Sequence, residues 1–248
     1  MHRFFVAPEL LATSTTTIML PEKQSHQIRD VLRLAVDEQL VLLDNSGDEW
    51  LCAVSRSSRA GVEVTVLERR PGKSESPVRI ILCQGLLKSA RFEWILEKGT
   101  ELGVASFVPL LCRRSMSGLE ETGPAKLQRW QRIIQEAAEQ CGRARLPELL
   151  PIRPLMHALN DIPPDAIALI PWEEEHITSL RTALQAARKP AKSPITVMLF
   201  IGPEGGLTEE EVILAQRHSV QPVTLGPRIL RAETAALAAI ANTMHELE

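Results

Sequence analysis

Two glycine-bearing turns near the C-terminal end hold the residue types best suited to chemistry. The first lies within Val197-Met198-Leu199-Phe200-Ile201-Gly202-Pro203-Glu204-Gly205-Gly206-Leu207-Thr208. An apolar strand enters a stiff turn, and Thr208 with Glu211 three residues on forms a capping box that opens a helix. Glycines let a ligand approach the backbone closely, so that N–H and C=O groups read its polar edge. Glu204 inside the turn, with Glu209 and Glu210 after it, repels phosphate. The turn has neither the Gly-Lys-Ser/Thr ending of a phosphate loop nor the Gly-x-Gly-x-x-Gly of a dinucleotide site. It suits a ligand without phosphates; the plainer alternative is a turn that only joins strand to helix.

The second turn lies within Val223-Thr224-Leu225-Gly226-Pro227-Arg228-Ile229-Leu230-Arg231-Ala232-Glu233-Thr234-Ala235-Ala236. Two arginines bracket an apolar pair at the entrance of an alanine-rich helix whose small residues, Ala235, Ala236, Ala238, Ala239 and Ala241, allow close packing. Core packing accounts for the alanines but not for Arg228 and Arg231. Further upstream, Gln140 and Arg143 follow an amphipathic stretch at a spacing that sets both on one side. They suit contact with RNA or a partner subunit, and a helix-terminal arginine favoured by the helix dipole is an equal alternative.

Both turns need strands that end beneath them. From Val78 onward, apolar runs alternate with amphipathic ones: strands at Val78–Cys83, Phe107–Cys112, Ala166–Ile170, Ile195–Ile201 and Pro222–Leu225. Helices are predicted at Arg91–Leu102, stopped by Gly103, and at Ala125–Gln140, with Leu127, Trp130, Ile133, Ile134, Ala137 and Ala138 inward. This alternation predicts an α/β domain with a mostly parallel sheet and helices on both faces. Ligands of such sheets bind beyond the carboxyl ends of the strands, where both turns fall.

The first ~70 residues differ. Short strand-like runs at Val41–Leu43, Leu51–Val54 and Val62–Val66 are separated by turn residues at Asp44–Asp48 and Ala60–Gly61. One helical stretch, Ser25–Leu34, sets Ile28, Val31 and Leu32 on one face. A small β-barrel with a helix is expected over residues 1–72, followed by the α/β domain over residues 73–248. Arg69–Pro77 reads as the linker.

Net charge is −3, from 28 basic and 31 acidic residues, which is unusual for an RNA-binding protein. Locally, Arg113 to Arg145 carries an excess of basic residues suited to a phosphate-facing surface or a solvated helix face. The four cysteines, Cys52, Cys83, Cys112 and Cys141, form no Cys-x-x-Cys pair, against a zinc or redox motif. No apolar run approaches the ~20 residues of a membrane span. A cytoplasmic protein with no metal and no membrane association is expected.

Together the two turns resemble the cofactor site of the SPOUT methyltransferases. More narrowly, the chain resembles the RsmE family, which methylates N3 of a uridine in bacterial 16S ribosomal RNA. The matching stretches are Ile201–Gly206, Leu225–Ala235, Lys98–Gly103 and Glu139–Arg143, with Arg3–Val6, His26 and Val31–Arg33. The resemblance implies a C-terminal trefoil knot, S-adenosylmethionine as cofactor, a PUA-like N-terminal RNA-binding barrel, a homodimer, and 16S rRNA within the small ribosomal subunit as substrate. It implies cofactor contacts from Leu169, Ile170, Pro171, Ile201, Gly202, Gly205, Leu225, Gly226, Ile229 and Leu230. Arg231 is expected to orient the uracil, with Glu173 or Glu204 as base, each of which alternatively binds the cofactor or a helix end. Arg3, His26, Arg33, Gln140 and Arg143 are the expected RNA contacts. The rivals are a knotted ribose 2′-O-methyltransferase acting on tRNA or rRNA, a non-catalytic RNA-binding protein and, weakest, a phosphate-loop hydrolase.

Overall fold

A computed structural model describes residues 1–12, 16–115, 118, 122–187 and 195–248. The chain divides into two compact units, Met1–Glu75 with Ala138–Leu146, and Ser76–Ala137 with Pro147–Glu248.

The first unit contains β1 (His2–Phe5), α1 (Pro8–Ala12), β2 (Thr17–Met19), α2 (Glu22–His26), a π-helical turn at Gln27–Leu32, β3 (Gln39–Leu43), β4 (Asp48–Ser58) and β5 (Gly61–Pro71). They build a five-stranded sheet in the order β1-β3-β4-β5-β2, with β1 parallel to β3 and the other pairs antiparallel. Side chains alternate across a strand, so β3 sends Leu40 and Leu42 to a core with Phe4, Ile28, Val54 and Val64. Val41 and Leu43 go to a second cluster with Phe5, Ala138 and Ala144. Both faces of β3 are thus covered, which explains its unbroken apolar run.

Two local expectations change. The Ser25–Leu34 helix becomes α2 continued by the π-turn, which ends at Arg33 in the left-handed region (φ 54°). The i→i+5 winding takes more residues per turn than an α-helix. Residue 32 therefore returns to the face of the buried Ile28, while Val31 is turned out and is 64% exposed. The expected linker also starts later, because Arg69, Arg70 and Pro71 pair with Trp50, Glu49 and Asp48 in the sheet. Cross-strand ion pairs, Arg69–Asp48 at 2.7 Å and Arg70–Glu49 at 2.9 Å, hold these polar residues there.

The second unit begins with β6 (Val78–Gly85), α3 (Ser89–Glu101) and β7 (Val104–Leu111). Next come α4 (Pro124–Cys141), whose residues from Ala138 on belong to the first unit, β8 (Glu148–Leu149), β9 (Arg153–Pro154), α5 (Leu155–Asn160) and β10 (Ile167–Pro171). It closes with α6 (Leu180–Ala187), β11 (Ile195–Ile201), α7 (Glu209–Arg217), β12 (Gln221–Val223) and α8 (Ala232–Leu247). The sheet order is β12-β10-β11-β6-β7-β8, with β9 also on β7, and every pair is parallel. Along β11, Val197, Leu199 and Ile201 face a core with Trp130, Leu184, Ala236 and Ile240. Met198 and Phe200 face another with Leu155, Leu159, Val212 and Ala215. Helices therefore cover both faces, as apolar strands of a parallel sheet require. Gly103, at φ 90°, ends α3 in the left-handed conformation that glycine adopts without strain.

Candidate functional site: a cavity at three strand ends

Strands β11, β10 and β12 are neighbours, and the segments after their carboxyl ends converge on one cavity of about 470 Å³. The β11 turn contributes Ile201 through Leu207, and the β12 turn contributes Thr224 through Arg231. Pro171, Trp172, Glu173 and His176 come from β10, and Ala232 and Ala235 from α8.

The turn after β11 is held from several directions. Thr208 and Glu211 form the capping box that starts α7, and Glu211 Oε1 also accepts from the Arg113 N–H at 2.8 Å. Arg114 Nη1 donates to the Gly205 and Leu207 carbonyls at 3.1 and 3.4 Å. Gly206 adopts φ 73°, and a β-carbon there would lie 2.9 Å from Glu173 Oε1. The Glu173 carboxylate therefore rests directly against the turn. Glu204 is turned to a helix start, accepting the Lys88 N–H at 3.1 Å and standing 3.6 Å from Arg91 Nη1. Arg91 Nε in turn lies 3.7 Å from Glu233 in the first turn of α8.

The turn after β12 is tied to β10's continuation. The Trp172 N–H donates to Val223 O at 3.1 Å, the Thr224 N–H to Thr178 O at 2.8 Å, and the Leu180 N–H to Thr224 O at 3.1 Å. Arg231 sits at the N-cap of α8, is exposed, and makes no ion pair among the described residues. Ile229 is 88% exposed, an apolar side chain at the cavity mouth with no core to bury it.

Of the expected site residues, Pro171, Glu173, Ile201, Gly202, Glu204, Gly205, Leu225, Gly226, Ile229, Leu230 and Arg231 all line this cavity. Leu169 and Ile170 do not: both are buried in β10, one on each face of the sheet. In the first unit, Arg33 and Gln140 are exposed, and His26 Nδ1 lies 2.6 Å from Asp30 Oδ2 at the surface. Hydrogen bonds from Arg29 and then from His26 hold the Asp30 carboxyl at about 2. Arg3 is 3.6 Å from Glu49, with its Nε buried. Arg143 departs furthest from expectation, being buried and paired with Glu75 at 2.9 Å. Glu75 also accepts the Ala144 and Arg145 N–H groups at 3.0 Å, so this arginine anchors a turn.

Sequence reasoning missed Trp172, His176, Arg114 and Gln84. Trp172 and His176 flank Glu173 and carried a signal, since they follow a strand end. Gln84 reaches the turn from β6, which only the sheet order sets beside β11, and Arg114 reaches it from the segment after β7, the next strand along. Burial pushes the Cys52 and Cys112 thiols up to about 12 and Cys83 higher still, which disfavours a nucleophilic role for these three. Among the described residues no group of side chains is suited to holding a metal ion, and no helix is long and apolar enough to cross a membrane.

A doubly covered parallel sheet with two glycine turns meeting at its strand ends defines a small-molecule-binding α/β domain. Comparison with known proteins narrows the class. A family described as RNA methyltransferase domain matches residues 74–244, and one described as RNA methyltransferase PUA domain matches residues 20–67. Ribosomal RNA small subunit methyltransferase E of Bacillus subtilis is 30% identical over 250 residues, spanning 100% of this chain and 98% of that protein. Its namesake from Synechocystis sp. is 35% identical over 249 residues, spanning 100% of this chain and 78% of that protein. Among solved structures, ribosomal RNA small subunit methyltransferase E from Neisseria gonorrhoeae, bound to S-adenosyl methionine, superposes with a TM-score of 0.86. Its identity is 33%, covering 99% of this chain and 97% of that one. A Legionella pneumophila protein solved with the bound cofactor SAM gives a TM-score of 0.79 at 28% identity, covering 98% and 96%. The chain belongs to the ribosomal RNA small subunit methyltransferase E family.

Proposed function

We propose that this protein transfers a methyl group from S-adenosylmethionine (SAM) to N3 of a uridine in 16S rRNA, acting in the cytoplasm as a homodimer on the small ribosomal subunit. The observation that carries this is the convergence of both glycine turns on one cavity. Its size lies within the ~300–1,000 Å³ of ligand pockets. Its lining suits SAM: the glycine turns expose backbone donors and acceptors, Leu225, Ile229 and Leu230 offer apolar surface for an adenine, and Glu173 supplies negative charge for a sulfonium. Among the described residues no lysine lines it, and the carboxylates of Glu173 and Glu204 stand beside Arg228 and Arg231, a mixed lining less suited to a polyphosphate.

When bound, SAM supplies an electrophilic methyl group on a sulfonium. In this reading the backbone of Gly202, Gly205, Leu225 and Gly226, with Pro171, Ile201, Ile229 and Leu230, holds it, while Leu169 and Ile170 serve only by fixing β10. Arg231, exposed at the cavity and free of ion pairs among the described residues, orients the uracil and stabilises negative charge on its carbonyl oxygens as N3 loses its proton. Glu173 is the base we assign, because Glu204 is engaged with Lys88 and Arg91. Arg33, His26 and Gln140 are proposed RNA contacts on the strength of their exposure; Arg3 and Arg143 are assigned to structure. For the knot implied by the family, the segment we assign is the one that leaves the edge strand β12 and enters α8, which packs against α3, α6, β6 and β11.

Methyl-labelled SAM and unmodified small subunits provide the test. Label recovered as 3-methyluridine in 16S rRNA supports the proposal, and label on a ribose or in tRNA overturns it.

A further inference from the structure

Gln84 lies at the carboxyl end of β6, opposite Ile201 in the parallel register, immediately behind the first glycine turn. It is 1% exposed, an unusual place for an amide. Its Nε2 donates to Gly85 O at 3.0 Å and to Gly202 O at 3.2 Å. The opposite amide orientation would set an acceptor against two carbonyls, so the donors are fixed by their surroundings. Its Oε1 is buried and has no hydrogen-bond partner among the described residues. Such a group costs stability, and an apolar side chain of the same length would fill the space without that cost. The next residue reinforces the contact. A β-carbon at Gly85 would lie 2.5 Å from Pro203 N and 2.8 Å from Gly202 C, so only glycine lets the turn approach β6 this closely.

We propose that Gln84 is a positioning residue for cofactor binding: it holds the Gly202 carbonyl, and with it the backbone of the first glycine turn, in the conformation that receives SAM. This rests on the assignment of the cavity to SAM. Gln84 does not line the cavity and acts only through Gly202.

The test titrates the full-length protein and its Gln84→Met and Gln84→Asn variants with SAM by calorimetry, and measures their melting midpoints without SAM. Methionine keeps the length and removes both donors, and asparagine keeps the amide one methylene short. Both variants are expected to bind SAM about tenfold or more weakly. Their midpoints should stay within roughly 5 °C of the parent. The KM for SAM should rise more than kcat falls. Binding by Gln84→Met within about twofold of the parent overturns the inference. So does a fall of roughly 10 °C or more in both midpoints, which makes Gln84 a residue of the core alone. A parent protein that binds no SAM overturns the cavity's assignment, and this inference with it.

Discussion

The Oε1 atom of Glu204 accepts a 3.1 Å hydrogen bond from the backbone N–H of Lys88, the residue that precedes α3. A carboxylate at a helix start satisfies a donor that the helix leaves unpaired and meets the positive end of its dipole. Lys88 makes no side-chain cap of its own, so Glu204 caps α3 from another loop. Two acidic residues line the cavity, and this bond separates their roles: Glu204 latches the turn, and Glu173 remains available.

That separation predicts unequal effects of removing each charge. Glu204→Gln keeps an oxygen for the Lys88 N–H and is expected to slow methyl transfer less than about tenfold. Glu173→Gln removes the base and is expected to slow it by roughly 10²-fold or more. Single-turnover rates at saturating SAM decide the matter, and equal losses would contradict it.

Arg231→Ala is expected to slow methyl transfer by about 10²–10³-fold, the loss typical of one charge-stabilising donor. SAM affinity should hold, because the arginine serves the uracil rather than the cofactor. A fall in SAM affinity matching the loss of rate would move Arg231 into the cofactor site.

Gly206 combines φ 73° with the Glu173 carboxylate 2.9 Å from where a β-carbon would stand. Gly206→Ala imposes left-handed strain of roughly 1–2 kcal/mol. SAM binding should weaken, by about tenfold if the strain falls on the bound state. Calorimetry on the folded variant checks this.

Much of the fold was legible in the sequence because the second unit's strands are buried on both faces and appear as apolar runs. The two glycine turns were legible as local strings, with the capping box marking where α7 starts. What was hidden depends on register and distant partners. Gln84 reads as one polar residue closing an apolar strand until the pairing of β6 with β11 sets it behind Gly202. Arg143 reads as an RNA contact or a helix-end arginine favoured by the dipole, but its partner Glu75 is 68 residues away in the chain. Val31 fits an α-helical face and is exposed only because the backbone winds as a π-turn.

The Arg143–Glu75 pair carries a stability prediction. Arg143 is almost wholly buried, so Glu75→Ala would remove a carboxylate that pairs with a buried charge and accepts two backbone N–H groups, at a cost of about 3 kcal/mol. The melting midpoint should fall by several degrees. An unchanged midpoint with weakened RNA binding would instead restore Arg143 as an RNA contact.

The cysteines offer a check on packing. Cys52, Cys83 and Cys112 are buried, and Cys141 is half-buried. A thiol-reactive reagent near pH 8 should modify Cys141 alone in the native protein and all four thiols after unfolding. Rapid native modification of Cys83 or Cys112 would show that the core around β6 and β7 opens.

The most direct test of the central claim, that the two glycine turns form the SAM site, is backbone hydrogen exchange of the full-length protein with and without SAM. Slowed exchange is predicted in peptides covering Ile201–Thr208 and Thr224–Ala232, with a smaller effect at Pro171–His176. SAM binding that leaves both turns unprotected, or protects a different surface, would contradict the account.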